Sequence, residues 1–414
     1  MLPLKSAFTT NLPDDAVELR AFTHGLMPAT VPDMMQAFVE DWASRGVDAW
    51  NRIPNHWKDS DDPPIGWWSL PEYLADTFVA PAIGAPQGTS ILQPNVHWTV
   101  QCLLSAPETF SEGSHVVLTE AEFPSVLHSL KQWRDLLELQ LTIVPLDESG
   151  FVDQESVLDA ITPDTDLVAL SHVGFTTGEV LQDAFLQRVA DKVHRHDGLL
   201  LVDGYHAVGS LPVDVVELNA DLYTGGLLKE ACGSSGNAFV YIRSDLELTP
   251  RTTGWFGDAD PFAFASEPDV HPQVRYRFQG GTTAVASMYH AVEGLRILLD
   301  AGLDHVREYS LQLTERCITR ADAAGLAVRS PREASRRGAM VILEVPMAGK
   351  LCAALKEHHI YTDSRQDKYL RMAPFVWNSE EEVDRAFDVL SKIVSTGAYR
   401  STPASTTEEA GPVT

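Results

Sequence analysis

The stretch that decides the fold covers residues 199–242 and is LLLVDGYHAVGSLPVDVVELNADLYTGGLLKEACGSSGNAFVYI. It begins with an apolar run that ends in Asp203, and it closes with a second apolar run, NAFVYI. Between the two runs, Lys229 lies in a turn flanked by glycines. Short, fully apolar runs bounded by turn residues are typical of buried strands in a mostly parallel sheet.

The preceding sequence continues the same alternation. From about residue 90 the apolar runs SILQP, HVVLTE, LTIVP and DLVALSHV are separated by segments with helical spacing. One of these, DAFLQRVADKVHRHDG, places its apolar residues on a single face, and we expect Gly198 to end that helix. Strand–helix–strand alternation predicts an α/β domain whose sheet is covered by helices on both faces.

The flanking regions have different patterns. VPDMMQAFVEDWASRG and PEYLADTFVAPAIGA predict short N-terminal helices, and GAMVILEVP and KYLRMAPF predict strands of a second, smaller α/β layer. SEEEVDRAFDVLSKIVST predicts a closing helix with Ser379 as N-cap and Glu382 at the capping-box position. The predicted division is an N-terminal helical segment on the small domain and substrate entrance (1–80), a large cofactor-binding domain (81–290), a small C-terminal domain (291–398) and a disordered tail (399–414).

Charge and cysteine usage narrow the classes of function. The 414 residues carry a net charge of −27, from 31 basic and 58 acidic side chains. Such a surface repels nucleic acid and anionic membranes, so we expect neither as a partner. The cysteines Cys102, Cys232, Cys317 and Cys352 are far apart, which suggests neither a zinc site nor a disulfide framework. The sequence shows no apolar signal-peptide core and no run of membrane-spanning length, so we expect a cytoplasmic protein. From the cysteine spacing we also expect no metal site.

Asp203 and Lys229 are the candidate chemical pair. Ligands of open parallel sheets bind at the carboxyl ends of strands, where Asp203 is expected. Pyridoxal phosphate (PLP) needs a lysine amine for its aldehyde and an aspartate that keeps its ring nitrogen protonated. On spacing alone the alternative stays open: a strand-end aspartate that anchors a loop, and a surface lysine.

The wider sequence resembles the kynureninase branch of the class V aminotransferase superfamily. Besides the opening stretch, the similarity includes EDWASRGVDAWNRIPNHW, LTEAEFPSVLHSL, LSHVGFTTGEVLQD, TGWFGDADPFAF, RYRFQGGTTAVASM and YLRMAPFVWNSEEEVDRAF, in the same order from about residue 22 to residue 394. The resemblance implies a fold-type I PLP-dependent transferase fold. That fold has a mostly parallel seven-stranded sheet in the large domain and a smaller C-terminal α/β domain. The resemblance also implies PLP as the cofactor and a homodimer.

The resemblance implies roles for individual residues around the cofactor ring. Lys229 matches the Schiff-base lysine, and Asp203 matches the aspartate on the ring nitrogen. His206 matches the histidine of the DxxHxxG pattern, and Phe123 matches the aromatic residue that stacks on the ring. Without the resemblance, the sequence around His206 fits a packed polar residue equally well, and Phe123 fits an ordinary residue of the hydrophobic core.

Further residues are implied for the phosphate. NVHWTVQCLLSA resembles the loop–helix entry where backbone N–H groups face the phosphate, which assigns that role to His97 and Trp98. Trp255, in GWFG, and Thr282, in GT, match residues that approach the phosphate, the threonine from the partner subunit.

Two arginines are implied for the substrate. Arg371, in YLRMAPF, matches the arginine that binds the α-carboxylate, a role suited to a planar guanidinium. Arg365 is a candidate second anion contact. We expect the substrate side chain to contact residues 23–26 and loops of the partner subunit.

Three departures change the expected chemistry. Leu228 precedes the lysine where kynureninases have tyrosine, Phe175 replaces an Asn or Tyr, and Val126 replaces an aspartate. The pocket is therefore more apolar, which weighs against hydrolysis of kynurenine as such. The prediction of a cysteine desulfurase activity is weaker still, because that activity needs a cysteine on a flexible loop and Cys352 lies in a helical pattern.

The sequence thus predicts a PLP-dependent enzyme that acts on an α-amino acid through an external aldimine and a quinonoid. Cleavage or elimination at the side-chain β-carbon, in specialised biosynthesis, is the first prediction. The alternatives are a class V aminotransferase and an oxidative deamination coupled to decarboxylation. A cofactor-binding sensor without turnover is disfavoured, because the chain lacks a DNA-binding helix-turn-helix pattern and a basic charge.

Overall fold

The computed structural model describes residues 2–58, 64–267 and 269–401, and a seven-stranded sheet forms its centre. Its strands are β1 (Ser90–Gln93), β2 (His115–Thr119), β3 (Gln140–Val144), β4 (Thr165–Ser171), β5 (Leu199–Asp203), β6 (Leu222–Gly226) and β7 (Ala238–Ile242). Their spatial order is β1-β7-β6-β5-β4-β2-β3. Only β7 runs antiparallel to its neighbours, which confirms the predicted mostly parallel sheet.

Both faces of this sheet are buried, as predicted. Along β5, Leu200 and Val202 pack into one hydrophobic core, whereas Leu199 and Leu201 pack into the core on the opposite face. Alternate side chains of a strand point to opposite faces, so an all-apolar strand needs cover on both sides. The α-helices of the described residues are Val31–Arg45, Leu70–Leu74, Ala80–Ala82, Val96–Leu104, Pro124–Leu137, Gln154–Ala160, Asp183–His194, Val274–Arg277, Val285–Ala291, Glu293–Ala301, Leu303–Ala323, Ala348–Lys356 and Glu380–Thr396.

Helix Asp183–His194 illustrates one confirmed and one wrong prediction. Its five predicted apolar residues are all buried. The helix ends at His194, however, and not at Gly198. Asp197, with φ 60°, makes the left-handed turn instead. Gly198 is needed for close approach, because a Cβ there would lie 2.2 Å from the Thr165 carbonyl oxygen.

The smaller layer is an antiparallel sheet of four strands. They are β8 (Ala327–Val328), β9 (Val341–Glu344), β10 (Asp363–Arg365) and β11 (Tyr369–Met372), in the order β8-β9-β11-β10. GAMVILEVP and KYLRMAPF are therefore strands, as predicted. The N-terminal strand Val17–Glu18 pairs with Ile360–Tyr361 and so ties the beginning of the chain to this layer.

The C-terminal helix Glu380–Thr396 has the predicted capping box. The Ser379 hydroxyl accepts the Glu382 N–H at 3.2 Å, and the Glu382 carboxylate accepts the Ser379 N–H. Within the predicted tail, Tyr399 is buried in a 3-10 turn, and residues 402–414 lie outside the described residues. No helix among the described residues is long and apolar enough to cross a bilayer.

Candidate active site

Asp203 and Lys229 meet at the carboxyl edge of the large sheet. Asp203 is the last residue of β5, with Ser171 and Thr224 opposite it on the neighbouring parallel strands. Lys229 lies in the turn after β6, and both charged side chains are buried. Both groups contact Tyr205: Asp203 Oδ1 accepts its backbone N–H, and Lys229 Nζ lies 4.7 Å from the centre of its ring, so the two charged groups lie close together.

The Lys229 amine is enclosed by rings. Its Nζ lies 2.8 Å from His206 Nε2, 4.7 Å from the centre of the Tyr205 ring, 5.4 Å from that of Phe123 and 5.8 Å from that of Phe22. Burial lowers the pKa of Lys229 to about 8. Near neutral pH a useful fraction of this amine is therefore uncharged and nucleophilic.

Asp203 places a buried carboxylate at the end of strand β5. Its Oδ1 accepts the Tyr205 N–H at 3.0 Å. Burial raises the pKa of Asp203 to about 6, and the charge of Lys229 opposes that rise. The side chain is thus mainly ionised at neutral pH and can pair with a buried cation.

His206 lies beside the lysine, with Nε2 2.8 Å from Lys229 Nζ, and its predicted role at the cofactor stays a prediction. Its ring stacks on Phe22 at a centroid distance of 3.5 Å and an angle of 10°. Its Nδ1 lies 3.6 Å from Glu230 Oε1 and has no hydrogen-bond partner. Burial first, and the Lys229 charge second, hold the pKa of His206 well below its ordinary value, so the imidazole is neutral.

Glu230 and Glu122 are buried carboxyls near this pocket that the sequence analysis missed. Both oxygens of Glu230 lack a hydrogen-bond partner, and burial raises its pKa to about 8. Glu122 instead accepts hydrogen bonds from Ser171 Oγ at 2.6 Å and Thr119 Oγ1 at 2.7 Å. Burial raises the pKa of Glu122 to about 7. The available signal was the charged residue directly after Lys229 in LLKEA.

Arg371 lies on β11, and each of its three guanidinium nitrogens donates at least one hydrogen bond. Its Nε and Nη2 donate to the two oxygens of Asp363, each at 2.6 Å, and Nη2 also donates to Thr23 Oγ1 at 3.1 Å. The remaining nitrogen, Nη1, donates to the Phe175 carbonyl at 3.3 Å. Burial alone would raise the pKa of Asp363, but the hydrogen bonds and charge of Arg371 hold it below its ordinary value.

Arg365 lies close to the same carboxylate. Its Nη1 is 3.5 Å from Asp363 Oδ2 and donates to the Ser364 carbonyl at 2.9 Å. The Arg365 side chain keeps a quarter of its surface exposed. Two guanidinium groups share one carboxylate, so the cluster keeps a net positive charge that suits a substrate carboxylate.

The N-terminal segment closes over the lysine turn. The Gly25 N–H donates to the Leu228 carbonyl at 3.1 Å. A Cβ at position 25 would lie 2.2 Å from the Lys229 carbonyl oxygen, so only glycine permits this approach. The contact carries Phe22 and Thr23 into the site, which the sequence analysis anticipated only for residues 23–26.

Within the described residues, His97 and Trp98, the residues predicted for the phosphate, make no hydrogen bond or ring contact with Lys229 or Asp203. The Trp98 N–H donates to Asn95 Oδ1 at 2.8 Å, and its indole N–H donates to the Phe278 carbonyl at 2.8 Å. His97 is exposed, and its Nδ1 lies 3.0 Å from Ser129 Oγ. These groups begin helix Val96–Leu104, which follows β1 and therefore starts at the same edge of the sheet.

Trp255 and Thr282 lie on the surface of this chain. The Trp255 indole N–H donates to the Pro261 carbonyl, and its ring stacks on Phe264 at 5.8 Å. Trp255 lines a cleft of about 550 Å³, and Thr282 is exposed. No contact within the described residues joins either side chain to Lys229.

These features fit PLP. The amine of Lys229 is buried and partly neutral, Asp203 is an ionised carboxylate in the same pocket, and Phe123 offers a ring face beside the amine. A planar aromatic aldehyde with a ring cation needs these three partners. Phe123 also contacts Phe175 edge to face at 5.4 Å, so its ring is fixed by packing.

Comparison with known proteins gives the same assignment. The model of the family "Aminotransferase class-V" matches residues 98–384. The chain is 29% identical over 322 residues to the uncharacterized aminotransferase YcbU of Bacillus subtilis, covering 77% of this chain and 83% of that protein. It is 28% identical over 409 residues to the kynureninase of Pseudomonas fluorescens, covering 95% and 92% respectively.

A solved structure shows the same fold. The apo cysteine desulfurase of Thermococcus onnurineus NA1 superposes with a TM-score of 0.77 at 20% identity, covering 94% of this chain and all of that one. The family match extends over most of the chain and includes Lys229, Asp203 and Arg371. The chain therefore belongs to the class V aminotransferase family, and it is an enzyme whose cofactor is pyridoxal phosphate.

Proposed function

We propose that this protein is a PLP-dependent lyase that cleaves or eliminates at the side-chain β-carbon of an α-amino acid. The observation that carries the proposal is the position of the buried Lys229 Nζ, which lies 2.8 Å from His206 Nε2 and beside the Phe22 ring that Arg371 also contacts. Arg371 binds the carboxylate of the amino acid, and Lys229 is then the basic residue that moves its α-proton.

Similarity supports the lyase over other outcomes. Kynureninases align with nearly the whole chain, including its N-terminal segment, and the resemblance to that branch implies chemistry at the side-chain β-carbon. In this chain Phe22 and Thr23 of that segment lie in the site. The aromatic lining by Phe22, Phe123 and Phe175 favours a substrate with an apolar side chain. The departures from the kynureninase pattern at Leu228, Phe175 and Val126 are our reason for proposing a specialised biosynthetic reaction.

We assign the following roles to the residues. When bound, PLP supplies an aldehyde for the amine and a ring that accepts electrons from the substrate carbon. Lys229 Nζ holds and moves the proton of the α-carbon, and Asp203 keeps the ring-nitrogen charge. Arg371 and Arg365 hold the substrate carboxylate, and the rings around Lys229 exclude water from the reacting atoms.

The proposal includes a homodimer. Thr282 is exposed and has no contact with Lys229 of its own chain, and Phe262 and Phe264 expose 48% and 75% of their surface beside Trp255. Exposed aromatic rings in one cluster are typical of a protein interface. In such a dimer, Thr282 would approach the phosphate of the partner subunit. Trp255 would approach the phosphate of its own subunit or of the partner subunit.

Transamination is the second candidate. It is favoured by the similarity to YcbU, whose name denotes an aminotransferase. The same Lys229, Asp203 and Arg371 would serve, because the two reactions differ only after the α-proton has moved.

The test combines trapping with product analysis. Purified protein is loaded with PLP, treated with borohydride and digested, and we expect the reduced adduct on Lys229. A panel of amino acids is then added, and the products are identified by mass spectrometry. A cleaved or eliminated side chain supports the lyase, whereas a keto acid with aminated cofactor supports transamination. Absence of both adduct and product would refute the proposal.

A further inference from the structure

Glu230 is a buried ionisable group beside Lys229 that the proposed chemistry does not use. It follows the lysine directly in the turn after β6 and is fully buried. Neither of its carboxylate oxygens has a hydrogen-bond partner. Because an unpartnered buried carboxyl destabilises the fold, this position needs a functional explanation.

The geometry connects Glu230 to the lysine through one imidazole. Oε1 of Glu230 lies 3.6 Å from Nδ1 of His206, and Nε2 of the same ring lies 2.8 Å from Lys229 Nζ. An ammonium group can only donate, so Nε2 accepts its proton and the neutral ring carries its own hydrogen on Nδ1, facing Glu230. Stacking on Phe22 fixes the plane of the ring in this line.

We propose that Glu230 is a positioning residue that accepts a proton from Lys229 through His206 and later returns it; this role rests on the proposed function. One proton passes from Nζ to Nε2, while the hydrogen on Nδ1 passes to a Glu230 oxygen. The ammonium and the carboxylate become an amine and a carboxylic acid, and the imidazole stays neutral as its other tautomer. The reverse shift recharges Lys229, so no external acid or base is needed.

The relay explains how a buried lysine becomes nucleophilic. An ammonium has no lone pair for an aldehyde or for a substrate proton, so its proton needs a nearby acceptor. Burial raises the pKa of Glu230 and lowers that of Lys229. These opposite shifts bring the two acidities closer together, so the proton moves in either direction at lower cost.

Other charges also act on this lysine, so the test must separate Glu230 from them. Asp203 favours the charged amine, and the two arginines of the small sheet disfavour it. The ionisable groups that face the line from the packed elements are Asp203 (β5), Tyr205 (the turn after β5), Cys232 (the lysine turn), Arg365 (β10) and Arg371 (β11).

The experiment measures the titration of Lys229 in the full-length, cofactor-free protein. Formaldehyde and a borane reductant methylate neutral lysine amines, and peptide mass spectrometry gives the methylated fraction at residue 229 across pH. The exposed Lys131 in the same sample corrects for the reagent. In Glu230→Gln we expect the midpoint for Lys229 to fall by about one pH unit, because the carboxylate no longer keeps the imidazole hydrogen on Nδ1 and Nε2 no longer serves as the acceptor that stabilises the ammonium.

Three further variants make the result specific. Glu122→Gln, which removes a buried carboxyl bonded to Ser171 and Thr119, keeps the wild-type midpoint. Glu230→Asp gives an intermediate midpoint, and it replaces Glu230→Gln if that variant does not fold. In a His206→Asn background, the shift caused by Glu230→Gln falls below half, because the connecting imidazole is gone.

The outcomes separate the two proposals. An unchanged midpoint in the folded Glu230 variants overturns the relay, and so does a full-sized shift in the His206→Asn background, which would indicate a direct charge effect. Failure of the wild-type protein to form the PLP adduct overturns the proposed function instead. The methylation midpoint remains measurable in that case, because it requires no cofactor.

Discussion

The site has two halves that differ in how their buried charges are paired. The carboxylate half consists of Arg371, Asp363 and Thr23, and the cofactor half consists of Lys229, His206 and Glu230. In the carboxylate half, every nitrogen of Arg371 donates a hydrogen bond, and Asp363 is held by both Arg371 and Thr23. In the cofactor half, His206 Nδ1 and both oxygens of Glu230 have no partner.

The contrast separates a fixed group from reactive ones. A buried charge is expensive unless it is paired and hydrogen-bonded, so the Arg371 half is organised before any substrate arrives. The Lys229 half keeps unpaired groups with shifted pKa values, which cluster where protons are moved. One half therefore serves to hold the substrate, and the other serves to react.

The largest expected effect comes from breaking the cofactor half at Lys229. Lys229→Ala removes the amine that bonds to the cofactor and moves the α-proton. We expect complete loss of the borohydride-trapped adduct and a fall in turnover of at least about 10²–10⁴-fold. Adduct formation is measured by peptide mass spectrometry and turnover by product release.

The matched control for this variant is Lys131→Ala, at an exposed position in helix Pro124–Leu137. It should retain both the adduct and the activity. An adduct that persists in Lys229→Ala would show that another lysine binds the cofactor, and the assignment of the two halves would be wrong.

The next effect comes from breaking the carboxylate half at Arg371. Arg371→Ala leaves the buried Asp363 carboxylate with Arg365, 3.5 Å away, as its remaining cation. We expect the variant to lower the free energy of unfolding by about 3 kcal/mol, the lower end of the range for breaking a buried ion pair. Loss of a buried charge-assisted contact to the substrate should also lower kcat/KM about 10²-fold, mainly through KM. Chemical denaturation and steady-state kinetics measure the two effects.

The double variant Arg371→Ala/Asp363→Ala sharpens this comparison. Removing both charges should restore part of the stability, because no unpaired charge remains, but it should not restore KM. If the double variant were as unstable as the single one, Asp363 would not be the main partner of Arg371.

A smaller effect concerns pH and tests the reactive half. Below about pH 6 Asp203 gains a proton, and below about pH 8 Lys229 is mainly an ammonium. The rate of imine formation with PLP should therefore rise with pH in two steps. The lower step reflects ionised Asp203, which pairs with the ring cation. The upper step reflects the neutral fraction of Lys229, which increases about fivefold between pH 7 and pH 8. Stopped-flow absorbance measures this rate.

Asp203→Asn is the control for the lower step, since an amide does not titrate. In that variant the step near pH 6 should disappear, while the upper step should remain and move to lower pH, because Asp203 no longer favours the charged amine of Lys229. A wild-type rate that keeps rising about tenfold per pH unit beyond pH 8, without levelling off, would contradict the lowered pKa of Lys229.

The smallest effect is expected at Glu122, the satisfied carboxyl. Glu122→Gln replaces one acceptor oxygen by a donor, so either Ser171 or Thr119 loses its acceptor. We expect a loss of about 1 kcal/mol in the free energy of unfolding and an unchanged PLP adduct. A loss of the adduct would place Glu122 in the reactive half.

Much of the fold was predictable because it depends on short-range patterns. Apolar runs identified six of the seven strands of the large sheet, and the capping box at Ser379 identified the start of the last helix. The strand Leu222–Gly226 was less evident, because two of its five residues are glycines. At Gly226 the requirement is tertiary, since a Cβ there would lie 2.1 Å from the Tyr205 ring.

The sequence by itself thus determined the sheet, the strand-end aspartate, the lysine in its turn and the family. These features follow from residue periodicity and from motif order along the chain. Only the tertiary structure decided the line from Glu230 through His206 to Lys229 and the pairing of Arg371 with Asp363 and Thr23. These contacts depend on how turns and sheets pack: His206 and Lys229 are 23 positions apart in the chain, and Thr23 and Arg371 are 348 positions apart.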